Sequence, residues 1–244
     1  MRAPRDRSPK GGTGRRGVLA APAFLLAGGA AVAQGVRASH RVGVLGSGPL
    51  PSDAMDALRA GLGRLGFVEG RNIVLDVRAL HEPVAQDTQT AADLAGSDVD
   101  VIVVWGTPAA LAARRATSEI PIVMVSVGDP IGTGLIDSLA KPGKNVTGLA
   151  NLGRDISAKQ AELFVELVPG LERVGVVQNR LNSSNVLQSR EAQQALRDFG
   201  QEVHVVEASA TAEYEQALRT LAERQVGGVF LVPDPSAIAN RAMI

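Results

Sequence analysis

Short apolar runs alternate with amphipathic segments of helical period along the chain from about residue 41 onward. The segments 41–46, 99–105 and 122–127 are rich in Val and Ile with few polar interruptions, a pattern typical of strands covered on both faces of a parallel sheet. Between them the periodicity predicts helices over 53–65 and 108–116. Strands separated by helices indicate βαβ units and hence an α/β fold with a parallel sheet.

The same alternation repeats in the second half of the chain. Ser157 to Gln160 has the S-x-x-Q form of a capping box and predicts a helix that starts there and ends near Val168. The segments that follow predict further strands at 173–177, 202–206 and 228–232, with helices over 184–199 and 212–224. We therefore predict two doubly wound lobes.

The segment 120–148 indicates where the two predicted lobes meet in the sequence. A buried strand ends in the small and acidic residues of 126–130, a turn cluster follows at 141–145, and a strand pattern resumes at Val146. We expect the chain to cross between lobes here. The expected division is a targeting segment over 1–33, an N-terminal lobe over 38–145 and a C-terminal lobe over 146–244.

Composition excludes several functional classes. Acidic and basic residues number 25 each, so the net charge is zero and nothing favours a nucleic-acid partner. Cysteine is absent, which excludes disulfides and thiolate chemistry. The histidines His40, His81 and His204 lack metal-ligand spacing, and no nucleophile elbow, dinucleotide loop or phosphate loop is complete. We therefore expect no catalytic residue, no metal and no cofactor.

The N-terminal segment predicts export. A basic head precedes the small apolar run 17–32, and Ala31-Val32-Ala33 has the form of a signal-peptide cleavage site. The run is too short and too rich in Gly and Ala for a spanning helix. Arg15-Arg16 fits a twin-arginine signal loosely, so this route and general secretion both stay open. A periplasmic location is the expectation.

Candidate ligand-binding residues follow the ends of the predicted strands. Parallel sheets bind ligands at the carboxyl ends of their strands, and a helix N-terminus attracts carboxylates through its free N–H groups. Thr107-Pro108 is a capping residue followed by Pro, as at a helix N-terminus. The candidates at these edges are Ser47, Trp105, Gly106, Thr107, Ser126 and Asp129 in the first lobe, and Asn179, Ser184 and Asp234 in the second.

Structural explanations for the same residues stay open. Thr107 and Asp234 each precede Pro and could simply cap helices, and Trp105 could fill the core beside its strand. Local turn or cap chemistry equally explains Asp129, Asn179 and Ser184.

Three segments carry a resemblance to a known family. They are LRAGLGRLGFVEGRN over 58–72, GTPAALAARRAT over 106–117 and SVGDPIGTGLIDSLAKPGKNVTG over 126–148. In this order they resemble the substrate-binding proteins of ABC transporters with the periplasmic-binding-protein type I fold, of the branch that takes up tryptophan or tyrosine. The resemblance runs from about Arg41 to the end of the chain and implies two lobes joined by a hinge, with the second lobe incomplete.

This resemblance implies a function without chemistry on the ligand. A small solute, such as an amino acid or a related carboxylate, would be captured between the lobes and delivered to an ABC permease in the membrane. Ser47, Thr107 and Ser126 would receive its carboxylate. Polar or ammonium groups would meet Asn179 and Asp234. A monomer is expected.

Two alternatives use the same fold. A periplasmic sensor module would pass the bound state to a receptor rather than to a permease. A doubly wound enzyme is disfavoured by the missing motifs.

Overall fold

The computed structural model describes residues 39–80 and 84–244, with the backbone alone for 84–86. The predicted targeting segment and His81 lie outside the described residues. The first eight elements are β1 (His40–Gly46), α1 (Ser52–Arg64), β2 (Ile73–Ala79), α2 (Val84–Ala95), β3 (Val101–Trp105), α3 (Thr107–Ala116), β4 (Ile122–Gly128) and β5 (Val146–Asn151). Then come α4 (Gly153–Leu167), β6 (Arg173–Gln178), α5 (Ser183–Asp198), β7 (Glu202–Glu207), α6 (Thr211–Glu223), β8 (Gly228–Leu231) and α7 (Pro235–Ala239).

The first sheet has five parallel strands in the order β2-β1-β3-β4-β5. Its central strands are the apolar runs, and Val104, Ile122 and Val127 are fully buried. Gly46 pairs in register with Trp105, so the carboxyl ends of β1 and β3 lie side by side. This register brings the residues that follow these strands to one edge of the sheet.

The second sheet has three parallel strands in the order β7-β6-β8. Val174 and Val176 of its central strand pack against Ala192 and Leu196 of α5 on one face. Val177 packs with Leu221 of α6 in a separate cluster. Both sheets are parallel and interleaved with helices, so the predicted α/β class is confirmed.

The strand β5 differs from the expectation. It pairs in parallel with β4, from Ile122 opposite Val146 to Gly128 opposite Asn151. The segment expected to open the C-terminal lobe is therefore the edge of the first sheet. The chain leaves that sheet after Asn151 rather than at residue 145, and the division into two lobes itself stays a prediction.

The helix α4 also begins earlier than predicted. It starts at Gly153, and no side chain caps it. The predicted cap Ser157 lies in the second turn, where its Oγ donates to the Gly153 carbonyl. A Ser four residues into a helix bonds back to the preceding turn, so the S-x-x-Q pattern was a wrong indication of a helix start.

Among the described residues, no helix is both long enough and apolar enough to span a membrane.

Candidate functional site

An open cleft of about 860 Å³ lies between the carboxyl edges of the two sheets. The first sheet contributes Trp105 and Ser126 at the ends of β3 and β4, together with Asn151 at the end of β5. The second sheet contributes Pro233 and Asp234 after β8. Parallel α/β sheets bind ligands at this edge, so the cleft is the candidate site.

Four of the longer helices begin at the cleft, as does the short helix α7 at Pro235. Ser52 of α1, Thr107 of α3, Gly153 of α4 and Ser184 of α5 are all in its lining. The first N–H groups of a helix have no partner within the helix, and the helix dipole adds partial positive charge there. Side chains already bond some of these groups, namely the N–H groups of Ala54, Ala109, Ser184 and Asn185. The remaining N–H groups and the helix dipoles favour a ligand with negative charge.

The hydroxyls of Ser47 and Thr107 are bonded within the first sheet and its helix. Ser47 Oγ accepts a hydrogen bond of 2.8 Å from the Ala109 N–H and so caps the first turn of α3. Thr107, 2% exposed, accepts from the Gly128 N–H at 3.1 Å through its Oγ1. The N-cap of α3 is Gly106, so Thr107 is the first helical residue. These hydroxyls hold α3 against the strand ends.

Ser126 lies in the cleft with a strained backbone. Its φ is +55°, and the pairing of β4 with β5 shifts register between Met124 and Val127. A non-glycine residue in the left-handed region costs about 1–3 kcal/mol, and such strain is enriched at functional sites. Its Oγ accepts a 3.1 Å hydrogen bond from Asn151 Nδ2. At this register shift the Ser126 side chain contacts Asn151 at the end of β5.

An apolar wall accompanies these polar groups. Trp105 of β3 lines the cleft and is partly exposed. Ile156 of α4 and Ile238 of α7 line it too and are about half exposed, at 48% and 51%. A flat indole and two branched aliphatic side chains offer an apolar group of a ligand a surface to pack on.

Asp234 is the centre of a buried hydrogen-bond network. Its carboxylate accepts from Asn179 Nδ2 at 3.2 Å, from Asn182 Nδ2 at 2.8 Å and from the Ser236 N–H at 2.9 Å. Ser236 Oγ also donates to it, and the Ser236 hydroxyl lies 2.7 Å from that of Tyr214. Asp234 is the N-cap of α7. Its bonds favour the capping explanation, and the predicted contact with a ligand ammonium stays a prediction.

The network extends to a buried phenol. Burial raises the pKa of Tyr214 to about 12, partly offset by the hydrogen bond to Ser236. Because a phenolate there would be desolvated and near a carboxylate, Tyr214 stays neutral and fixes the start of α7 through Ser236.

The cleft lining leaves out three of the predicted residues, Ser47, Asp129 and Asn179. Ser47 instead bonds the first turn of α3. Asp129 Oδ1 accepts from the Gly132 N–H, and Arg154 Nη1 lies 3.3 Å from its Oδ2. Asn179 Oδ1 accepts from the Leu181 N–H at 2.9 Å. Asp129 and Asn179 thus have local partners, as the turn explanation expected. The lining does include Trp105, Gly106, Thr107, Ser126, Ser184 and Asp234.

Arg154 forms an ionic bridge beside the cleft. Its guanidinium contacts Glu191 of α5 at 3.0 Å and Asp129 after β4. Hydrogen bonds to these two carboxylates raise the pKa of Arg154. The bridge connects the end of β4 to α4 and α5.

Sequence reasoning missed Asn182 and Gln188. Both line the cleft, and they are only 4% and 6% exposed. Asn182 Oδ1 accepts from the N–H groups of Ser184 and Asn185, so it caps α5. The buried positions at the start of α5 are Ser184, Asn185, Gln188 and Ser189. Polar residues on the face of a helix that packs against a sheet were therefore the signal in the sequence that could have identified them.

Apart from the buried Asp234, the charged side chains of the cleft lining are exposed. Asp53 and Arg241 are in the lining, and both are exposed. Asp53 Oδ1 accepts from the Ala54 N–H, and Arg241 Nη1 donates to the Ile238 carbonyl. Within the described part of the chain, no group of three or more His, Asp or Glu side chains could hold a metal ion.

Comparison with known proteins identifies the family. A sequence profile described as "ABC transporter substrate binding protein" matches residues 41–243. The chain is also 32% identical over 157 residues to the "Tyrosine-binding protein" of Clostridioides difficile strain R20291. That match covers 64% of this chain and 45% of the relative, so the chain spans about half the length of this relative.

Solved structures share the architecture. A conserved domain protein of Vibrio cholerae O1 biovar El Tor is 30% identical with a TM-score of 0.73, over 83% of this chain and 68% of that one. The ABC domain of Streptococcus pneumoniae in complex with L-Trp is 23% identical with a TM-score of 0.73, over 84% of this chain and 68% of that one. At 23% identity, the likeness to the Streptococcus pneumoniae structure supports the fold alone. Because the family profile spans nearly all of the described residues, the chain belongs to the ABC transporter substrate-binding proteins, a family of binding proteins and not of enzymes.

Proposed function

We propose that the cleft captures a small solute with a carboxylate and an apolar group, such as an amino acid or a related carboxylate. The observation that carries this proposal is the cleft itself, which has the N-termini of four longer helices around one cavity and an apolar wall inside it. The N–H groups suit a carboxylate, and the wall suits an apolar side chain. The volume of about 860 Å³ leaves room for an aromatic amino acid.

Similarity to a named relative supports an aromatic solute. The relative that is 32% identical is called a tyrosine-binding protein. Trp105 gives the cleft an aromatic surface on which a second ring would stack or meet edge to face. L-Tyrosine and L-tryptophan are therefore the first probes.

The biological setting follows from the family. We infer that the chain is exported to the periplasm and hands its solute to an ABC permease for import. Solute capture between the two predicted lobes would come with their closure about a hinge. Export, the permease partner and a monomeric state are parts of this proposal.

Calorimetry with a matched panel tests the proposal. L-Tyrosine and L-tryptophan are expected to bind, and tyramine, which lacks the carboxylate, is expected to bind at least about tenfold more weakly. Equal affinity for tyramine would contradict the assignment of the helix N-termini to a carboxylate. Absence of binding by all amino acids tested would overturn the proposed solute class.

A pair of variants on one helix locates the site. Ile156 and Leu163 both lie on α4 and are similarly exposed, but only Ile156 lines the cleft. Ile156→Lys is expected to weaken binding by about tenfold or more, since it places an ammonium on the apolar wall. Leu163→Lys is the control and should leave affinity unchanged. A loss in the control alone would place the site elsewhere.

A further inference from the structure

Gln188 is a mostly buried residue of the cleft lining whose side-chain oxygen has no hydrogen-bond partner in the described part of the protein. It is 6% exposed and belongs to the cleft lining. Its Nε2 donates a 2.9 Å hydrogen bond to Ser184 Oγ, one turn earlier on α5. Its Oε1 has no hydrogen-bond partner among the residues that the structure describes. The oxygen itself is not fully enclosed, so it is an unused acceptor that a group in the cleft can reach.

Two glycines make the space for this amide. A Cβ at Gly128, the last residue of β4, would overlap Ser184 Oγ and lie 3.0 Å from Gln188 Nε2. A Cβ at Gly153, the first residue of α4, would overlap Gln188 Oε1. The amide thus lies between the end of the first sheet and the start of α4. Packing on both sides restricts its orientation.

The buried polar groups of Asp234 and Asn182 are occupied, unlike the Gln188 oxygen. The Asp234 carboxylate accepts four protein hydrogen bonds, and the Asn182 side chain both donates to Asp234 and accepts from α5. No charged side chain is both buried and free in this part of the cleft, within the described residues. Gln188 thus keeps an unused acceptor in the cleft lining.

We propose that Gln188 determines the specificity of the site by accepting, through its amide oxygen, a hydrogen bond from a donor group of the solute. This inference rests on the proposed function and deepens it. The donor is an N–H or O–H: in L-tyrosine it is either the α-ammonium or the phenolic hydroxyl. A neutral acceptor distinguishes between solutes that have a donor at this position and solutes that lack one. A solute without the donor would leave the Gln188 oxygen unpaired, and this weakens binding.

Three related probes separate the two sources of the donor. L-Tyrosine has both donors, L-phenylalanine lacks the hydroxyl, and 3-(4-hydroxyphenyl)propanoate lacks the ammonium. Gln188→Met keeps a similar length and removes the amide. It is expected to weaken L-tyrosine binding by about 10- to 100-fold. If the phenolic hydroxyl is the donor, Gln188→Met should leave the affinity for L-phenylalanine almost unchanged. If the ammonium is the donor, the affinity for 3-(4-hydroxyphenyl)propanoate should be almost unchanged.

Gln194→Met is the matched control. Gln194 lies on the same helix, is exposed and donates to Asp198. Its substitution should change no affinity, and thermal melts of all three proteins show whether they fold alike. Equal losses for the three probes in Gln188→Met would overturn the proposal, since they would indicate altered packing. An unchanged affinity for L-tyrosine would overturn it too.

Wild-type protein gives an independent measurement if the Gln188 variant does not fold. Comparable affinities for all three probes would show that no donor is recognised and would overturn the role of Gln188, while leaving the proposed function intact. No binding of any probe would instead be a failure of the proposed function.

Discussion

Asn182 Nδ2 donates a 2.8 Å hydrogen bond to Asp234 Oδ2 and so joins the start of α5 to the start of α7. The two residues are 52 positions apart in the sequence. Both are 4% exposed. Two of the helices at the cleft are therefore fixed relative to each other by one buried carboxylate.

Asp234→Ala is expected to lower the free energy of unfolding by about 3 kcal/mol, because it leaves the donors of Asn179, Asn182 and Ser236 unpaired in a buried site. Urea denaturation measures the loss. Glu215→Ala, which breaks an exposed pair with Arg219, is the control and should change the stability by about 0.5 kcal/mol or less. Full stability in Asp234→Ala together with lost solute binding would show that the carboxylate serves the ligand instead.

Tyr214 predicts a loss of stability at alkaline pH. Its pKa is raised from 10.0 to about 12, so the folded protein holds this proton more tightly than the unfolded chain does. The contribution of this proton to the free energy of unfolding is complete below pH 10 and is lost as the pH rises toward 12. Tyr214→Phe is expected to be about 1 kcal/mol less stable at neutral pH, through loss of the bond to Ser236, and to lose less stability at high pH.

The alkaline prediction has a direct spectroscopic check. Tyr214 is the sole tyrosine of the chain, so tyrosinate absorbance reports its ionisation without overlap from other tyrosines. Parallel stability curves of the wild type and Tyr214→Phe between pH 10 and pH 12 would contradict the assignment.

Gly128→Ala is expected to weaken solute binding by about tenfold. The new methyl group overlaps Ser184 Oγ and pushes α5 away from the end of β4, at a cost of about 1–3 kcal/mol. Calorimetry with L-tyrosine measures the affinity. Gly63→Ala, in α1, meets open space and should stabilise the helix by about 0.5–1 kcal/mol. Unchanged binding in Gly128→Ala would show that the contact is loose enough to accept a Cβ.

Gln225→Gly is expected to stabilise the fold by about 1 kcal/mol. Gln225 follows α6 with φ +53°, a left-handed conformation that glycine adopts without steric cost. Gly66 after α1 and Gly200 after α5 already have positive φ at the corresponding place. Thermal melts measure the gain, and Gly200→Gln should give a loss of similar size. A destabilised Gln225→Gly would mean that its side chain makes a compensating contact.

Much of the fold followed from the sequence because periodicity reports burial. The Val- and Ile-rich runs became β1, β3 and β4, and Gly66 and Gly200 fall just beyond helices. The placement of β5 could not be predicted in this way. Which sheet an edge strand joins depends on long-range pairing, and the exposed Leu149 gives the run Val146–Asn151 little local indication of a partner.

Most of the site residues predicted from the sequence line the candidate cleft, but the sequence did not specify the bonds that each side chain makes. Strand ends and helix starts located the cleft, as Trp105 and Ser126 illustrate. Whether a polar side chain serves a ligand or a neighbouring helix depends on distances that the sequence does not encode. Gln188 was missed because a polar residue within a helix is ordinarily assigned to a solvated face, whereas α5 buries this one against two glycines.

Trp105 is the sole tryptophan of the chain, and its indole lies in the wall of the cleft. All tryptophan emission from this protein therefore originates at the place where a solute would sit. A shift in emission wavelength or intensity on adding a non-fluorescent compound would report occupancy of the cleft directly. Intrinsic fluorescence can therefore follow binding without an added label.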